Sequence, residues 1–537
     1  MTSPGHVPES EAPATPYAPR ERRAGVYALA MQRVDNGATS ATECVVMSSS
    51  QRVHLWCRTL SGDPTARLAY ARVLADEGRH EAAFHQFARA AGHCADWPGL
   101  AAAQSRLGRC YLLGLGVPSC VNAALHWLRC GAEGGDAEAQ TMLASLALQG
   151  IGAAGDTGLF DATSTVGRAP DYQLAMRWGV PAAAAGSAEA QALLGYIMTT
   201  GPDDLRDPLR GARYYQQSAA NGFAQGQLGW ALALLRGDNS PRDDPDGRSA
   251  RAEAQACLEL AAAAGLPAAH FALGVLADIA ATDADQLAVA AAHYRAGAEL
   301  GHRSAQVRYG MALRNGRGVP RNAQDGESWL RRAGLAGDVL AAALVGDLYA
   351  HQGDELPPNL CEAALWFQRA AEAGHIGAAR ALGQLCLHGG GFGSDPATAV
   401  HWLRVAATAD DPVAAYELGI CLANGIGTPH DDVEALQWFR HAIDALPAAL
   451  YWYGRMLAEG RGCAPDQAAA RTCYLRAAEG GNGDAAVAAG EMLVNGRGGK
   501  QDREAAMRLF TKAAAEGHQG ARYALRVLTA EATAANA

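Results

Sequence analysis

Residues 418–442 read LGICLANGIGTPHDDVEALQWFRHA, a Gly-x-Gly set between two stretches whose apolar residues recur with helical period. Such a loop is either a cradle for a phosphate or a turn that only folds the chain. A Walker-type loop needs Gly-x-x-x-x-Gly-Lys-Ser/Thr, so that backbone N–H groups, a lysine and a hydroxyl converge on the anion. No lysine follows Gly425 or Gly427. A dinucleotide loop needs a buried strand before it and a third glycine, whereas Gly427 is followed by Thr428, Pro429 and the acids Asp431, Asp432 and Glu434. Recurrence decides between the two readings.

The stretch recurs along most of the chain. Aligned on the glycine of its Leu-Gly, it gives Gly108, Ala144, Gly195, Gly229, Gly274, Gly310, Gly346, Gly383, Gly419, Gly454 and Gly490, eleven units at intervals of mostly 34 to 37 residues. The two longer intervals, 51 and 45, carry insertions, AAGDTGLFDATSTVGRAP before Asp171 and GDNSPRDDPDGRSARAE from Gly237. A second column keeps the same beat: Trp127, Trp178, Tyr214, Cys257, His293, Trp329, Trp366, Trp402, Trp438, Cys473 and Leu509.

Each column has a physical reason. Glycine costs about 1 kcal/mol inside a helix, so the Leu-Gly glycine implies a close approach, here of the aromatic column on the second helix. The pairs Gly114/Gly116, Gly316/Gly318, Gly425/Gly427, Gly460/Gly462 and Gly496/Gly498 follow the first helix, where a left-handed glycine ends a helix without strain. Seven residues before the aromatic column stand Asp171, Asp207, Asn322, Asn359, Asp395, Asp431, Asp466 and Asp502, the residue types that cap helix N-termini. Asn359 with Glu362 and Asp431 with Glu434 have capping-box spacing, and Pro208 and Pro396 suit the first helical position. The opening loop therefore reads as a helix stop followed by a helix start.

The pattern A-x-x-x-L-G-x-x-Y-x-x-G-x-G-V…D-x-x-x-A-x-x-W-x-x-x-A-A-x-x-G resembles the Sel1-like repeat family, relatives of the tetratricopeptide repeat. LGRCYLLGLGVPSCVNAALHWLRCGAEGG (residues 107–135) matches it closely, and the units around Gly229 and Gly274 depart from it. The resemblance implies an all-α fold, a right-handed α-solenoid of helix-turn-helix Sel1-like and tetratricopeptide-like repeats. The expected organisation is an N-terminal extension over 1–50, disordered or mis-assigned, and a tetratricopeptide-like hairpin region over 51–100. An array of about eleven repeats over 101–530 follows, with insertions near 152–170 and 236–252, and then a flexible tail over 531–537.

Composition bounds the function. The chain has 537 residues and a net charge of −10, with no basic run, and its only lysines are Lys500 and Lys512. Nucleic-acid phosphates need clustered bases, so no nucleic-acid partner is expected. No apolar run reaches the ~18 residues of a membrane span, and no membrane insertion is expected. Twelve cysteines show no Cys-x-x-Cys and no pattern that follows the repeat, which predicts reduced thiols in a cytoplasmic protein. Arg22 and Arg23 precede an apolar run over 24–31, but that run is at the bottom of the ~7–15 residues of an export signal, and a long Pro-rich stretch with acids comes before it. Residues 1–50 are rich in Pro, Ser, Thr and Glu, and Met47 is an alternative start.

Catalytic and metal motifs fall away on inspection, so no catalytic residue, metal site or cofactor is expected. HEAAFH (His80–His85) puts its second histidine five residues on, where the zinc-protease motif needs four. No two of the sixteen histidines lie three or four apart. HGGGFGSD (His388–Asp395) occupies the inter-helix loop of its repeat. What remains is surface. In the related tetratricopeptide arrays the first helices line a groove, and transferring its positions onto this chain singles out Arg106, Arg109, Trp230, Arg380, Tyr416, Glu417, Tyr451, Trp452, Arg455 and Glu491. Aromatic residues and arginine are enriched in interface hot spots. The densest set is Tyr416, Glu417, Tyr451, Trp452 and Arg455, with Trp452 and Arg455 expected to stand clear of the internal packing. The reading is a non-enzymatic adaptor that binds a protein or peptide on the concave face, in a bacterial signalling or assembly complex. The resemblance carries two rivals, a β-lactam-interacting enzyme, which would need a nucleophile with a base, and an envelope or secreted interaction protein, which would need an export signal or regular disulfides.

Overall fold

Small residues and caps recurring every 34 to 37 positions build helical hairpins, and the computed structural model shows how those hairpins stack. It describes residues 49–92, 97, 99–151, 169–237, 248–351, 358–389 and 393–535. The segment 1–48 with Met47, Cys44 and Cys94, most of both insertions, the centre of the His388–Asp395 loop and residues 536–537 lie outside this description. Among the described residues there are 26 helices and no strand. The chain divides into two compact units, Met1–Leu273 and Gly274–Ala537, the division falling within the helix Pro267–Ala280.

In the first unit, helix Ser49–Leu60 leads into the hairpins Pro64–Asp76/His80–Ala91, Leu100–Leu113/Val121–Glu133, Ala137–Leu148/Tyr172–Ala184, Ala188–Thr200/Pro208–Ala220 and Ala224–Arg236/Arg248–Ala263. In the second, Ala284–Glu299 follows Pro267–Ala280. Next come Arg303–Asn315/Ala323–Leu335, Val339–Ala350/Leu360–Glu372, Ile376–His388/Pro396–Thr408, Pro412–Asn424/Asp432–Ala442, Pro447–Glu459/Gln467–Glu479, Gly483–Asn495/Arg503–Ala515 and the closing helix Gln519–Ala535. Within each unit, apart from the helix Pro267–Ala280 at the division, helices pack chiefly on those next to them in the chain, the arrangement of an α-solenoid.

Local chemistry accounts for the hairpins. All eight Asp and Asn residues of the cap column accept a backbone N–H of the first turn, for example Asp431 from Glu434 at 2.9 Å and Asn359 from Glu362 at 3.1 Å. The first helices are capped too. Asp136, Ser187, Asp338, Asp411 and Asn482 do this with side-chain oxygens. His302 and His375 do it with Nδ1, which accepts from Ala305 at 3.2 Å and from Ala378 at 3.0 Å.

The two glycines of Gly-x-Gly do different work. Gly425, at φ +66°, ends its helix, and a side chain there would meet only ordinary contacts. Gly427, at φ +68°, lies against the preceding hairpin, and a Cβ would collide with the carbonyl of Pro396 in the first turn of Pro396–Thr408. Gly116, Gly318, Gly462 and Gly498 stand in the same way against the backbones of His80, Leu287, Asp432 and Gln467. The second glycine is thus the point where one hairpin touches the backbone of the one before it.

At most of the Leu-Gly glycines the contact is one residue out of register with the sequence expectation, while at Gly454 the nearest atom, at 3.0 Å, is still on Cys473 of the expected column. Gly419 faces Phe439, with a Cβ placed 2.8 Å from the ring, and not Trp438. Gly108 likewise faces Leu128, Gly346 faces Phe367, Gly383 faces Leu403 and Gly490 faces Phe510. Where Ala144 replaces the glycine, the residue after Trp178 is Gly179, so the large partner is missing as well. The tryptophan column packs between second helices instead. A Cβ at Gly334 would come within 2.9 Å of Trp366, and Trp366 and Trp438 donate Nε1–H to Glu362 and Glu434 at 3.0 and 3.1 Å. Glu362 and Glu434 also pair with Arg331 and Arg404 of the preceding second helices.

Two predictions follow from this packing. Gly425→Ala should lose roughly 1 to 2 kcal/mol from left-handed strain alone, and Gly427→Ala should lose a further ~1 to 3 kcal/mol by overpacking. Urea titration of the two variants reads the difference, and equal losses would contradict the backbone contact. Burial, with Arg303 adding to it, pushes the His302 imidazole below its ordinary value. Its cap therefore contributes fully above about pH 6.5 and is lost as pH falls through the lower folded value. His302→Asn should keep the cap and flatten the melting temperature between pH 7 and pH 5 relative to wild type, by about as much as one cap is worth, ~1 kcal/mol.

Candidate partner-binding face

The first helices of successive hairpins meet side by side in the second unit. Gln384 Nε2 on Ile376–His388 donates to Glu417 Oε1 on Pro412–Asn424 at 2.7 Å, and Arg380 lies 3.5 Å from Asp411. Tyr416 and Tyr451 hold the position three before the Leu-Gly glycines Gly419 and Gly454, so they come up one repeat apart on this face. The ring of buried Phe439 sits between Tyr416 and Trp452. Its centroid is 6.1 Å from Tyr416 and 5.9 Å from Trp452, the latter stacked at 15°. Tyr451 meets Trp452 edge-on at 6.3 Å and leans on Tyr474 at 5.7 Å. Tyr416, Phe439, Trp452, Tyr451 and Tyr474 thus form one aromatic line across two hairpins.

The polar groups on this line are partly spent on one another. The Arg455 guanidinium lies 5.2 Å from the Trp452 ring centroid, and its Nε donates to Glu459 Oε1 at 2.8 Å. Glu491 holds the Arg455 position one repeat later and is exposed. Burial pushes the Glu417 carboxyl up, with Gln384 and Arg380 opposing, and its Oε2 is buried without a hydrogen-bond partner. Beneath it the Cys421 thiol is pushed up to about 11 by burial, to which the Glu417 charge adds. The structure therefore brings Tyr416, Glu417, Tyr451, Trp452 and Arg455 together, with Glu491 on the next first helix and Arg380 on the previous one. One expectation is corrected. Trp452 does not stand clear of the packing, because its indole completes the stack on Phe439.

In the first unit, Arg106 and Arg109 both pair with Glu138, at 3.1 and 3.3 Å, so neither guanidinium is unengaged. Burial pushes the neighbouring Glu189 carboxyl up, Glu138 adds to this and Arg109 opposes it. Trp230 departs from its expected place on the face: it is 4 % exposed, and its Nε1 donates to Glu253 Oε1 at 2.8 Å. It is a packing residue because the second helix of its hairpin supplies the acceptor that lets an indole be buried. Phe439 and Tyr474, which organise the aromatic line, escaped the sequence reading. Their signal was present in the aromatic that so often follows the tryptophan column, as in Tyr215, Tyr294, Phe367 and Phe510.

Ten cysteines lie among the described residues, and none is bonded to another. Every shifted thiol is shifted upward by burial, Cys110 to about 11, which makes these sulfurs poor nucleophiles. Among the described residues no helix is long and apolar enough to cross a membrane.

Comparison with known proteins agrees with the hairpin architecture. The Sel1 repeat pattern matches residues 101–136, 163–187, 188–223, 303–338, 339–375, 376–411, 412–445, 447–482 and 483–518, more than half of the chain. No curated protein matches the sequence. Among solved structures, a protective antigen present in uropathogenic Escherichia coli strains and displaying an SLR fold is 23% identical. It covers 83% of this chain and 90% of its own, with a TM-score of 0.59, and so shares the fold. A Sel1 repeat protein from Oxalobacter formigenes is 26% identical over 59% of this chain and 89% of its own, with a TM-score of 0.46. By its repeats and by the fold they build, this chain belongs to the Sel1 repeat family.

Proposed function

We propose that the protein is a non-enzymatic adaptor that holds a protein or peptide partner on the face formed by its first helices, in a cytoplasmic signalling or assembly complex of a bacterium. The observation that carries this reading is the aromatic line from Tyr416 to Tyr451, flanked by the half-exposed Arg455 and the exposed Glu491. Stacked hairpins leave long surfaces that suit assembly, and partly buried aromatic rings beside charged groups are the chemistry of interface anchors. Tyr451 and Tyr416 offer ring area at small entropy cost because the neighbouring rings already hold them in place. Arg380 and Glu417 sit at the edge of the same face, while Arg106 and Arg109 form a separate charged site on the first unit. The matches are to a repeat family, and no enzymatic family is among them.

The test leaves the packing residues alone. Arg455→Glu combined with Glu491→Arg exchanges the two exposed charges and keeps the net charge, so it should break the charge pattern that a partner reads on this face. Partners captured from native lysate by the wild type should be missing from the double variant, a loss of about 2 kcal/mol or more of binding, with circular dichroism and melting unchanged. An identical set of captured proteins at unchanged stability would rule this face out.

A further inference from the structure

The aromatic line already holds a cation, and that cation belongs to the protein. Arg455 spreads its guanidinium 5.2 Å from the Trp452 centroid, with its side chain 41% exposed and Glu459 as its hydrogen-bonded partner. Exposed ion pairs and exposed cation–π contacts are individually weak, so this guanidinium is displaceable. The surroundings favour another positive charge. The three successive first helices Pro412–Asn424, Pro447–Glu459 and Gly483–Asn495 carry Glu417, Glu459, Asp484 and Glu491 against Arg455 as their only base. Glu491 is exposed, Asp484 is 69% exposed beside His518, and Glu459 is 41% exposed. Of the other nearby guanidiniums, Arg380 lies 3.5 Å from Asp411, and Arg461 is committed to Asp432 at 2.7 Å and to the Ala423 carbonyl and only grazes Glu459 at 3.9 Å.

We propose that this face takes an arginine- or lysine-bearing segment of a protein partner, whose cationic side chain occupies the position over Trp452 that Arg455 fills in its absence, while Glu459 and Glu491 pair with it. The proposal rests on the adaptor reading and names the chemistry of its partner. Arg455 acts as an internal competitor: it keeps the indole covered and Glu459 neutralised until a partner displaces it. The consequence has an unusual sign, since deleting a charged interface residue should strengthen binding.

The experiment uses the full chain and two labelled short peptides, one arginine-rich and one with glutamate in place of each arginine, followed by fluorescence anisotropy. The arginine peptide should bind at least about tenfold tighter than its counterpart, and more weakly as salt rises from ~0.05 to ~0.5 M. Arg455→Ala should tighten it by about threefold or more, and Glu491→Gln should weaken it. Glu504→Gln, the same charge change on an exposed second-helix residue, should have little effect. Equal weakening by Glu504→Gln would show general charge attraction and overturn the proposal, as would weaker binding after Arg455→Ala, preference for the glutamate peptide, or binding of neither. If one of these results appears while lysate partners are still lost in the Arg455→Glu/Glu491→Arg variant, the face stands and its assigned chemistry falls. If that partner set is also unchanged, both fall.

Discussion

Wherever the Gly-x-Gly is present, stacking rests on one close approach, the second glycine against the first turn of the preceding second helix. At Gly116, Gly318, Gly427, Gly462 and Gly498 a single added carbon would collide with backbone, which has no rotamer with which to yield. The contact joins the loop of one hairpin to the helix start of another, so it sets how far apart neighbouring hairpins lie. The left-handed conformation of these glycines is needed as well, and the two demands together leave room for no other residue.

With the spacing set, the helices sort into two seams. Between second helices, Trp366 and Trp438 have their indole N–H groups satisfied by Glu362 and Glu434, and those glutamates pair in turn with Arg331 and Arg404 of the preceding hairpins. The Arg404 hydrogen bond is the main cause that holds the Glu434 carboxyl below its ordinary range. Between first helices the seam mixes aromatic rings with polar contacts. Gln384 reaches Glu417 and leaves one buried carboxylate oxygen unmatched.

The candidate face is not detachable from the core. Phe439 is fully buried, faces Gly419 within its own hairpin and carries Trp452 of the next one. The aromatic line is therefore held by the same packing that holds the repeat together. This rigidity lowers the ordering cost of binding, and it means that recognition and stability are best separated through the exposed charges, not through the rings.

Residue types alone made legible what local backbone chemistry governs: the period, the hairpins, the Asp and Asn caps and the glycine stops. Each of these follows from a residue type and a spacing of a few positions, because capping and left-handed turns are satisfied within one turn of helix. Only the tertiary structure decided between neighbours such as Trp438 and Phe439. Adjacent helical residues point about 100° apart, and either can face a core. It likewise buried Trp230, stacked Trp452 on Phe439 and added a backbone contact to the second glycine. These outcomes depend on side chains and backbone 13 to 36 residues away in sequence, and the partner that packing brings close, not the residue's own type, settles which face is covered.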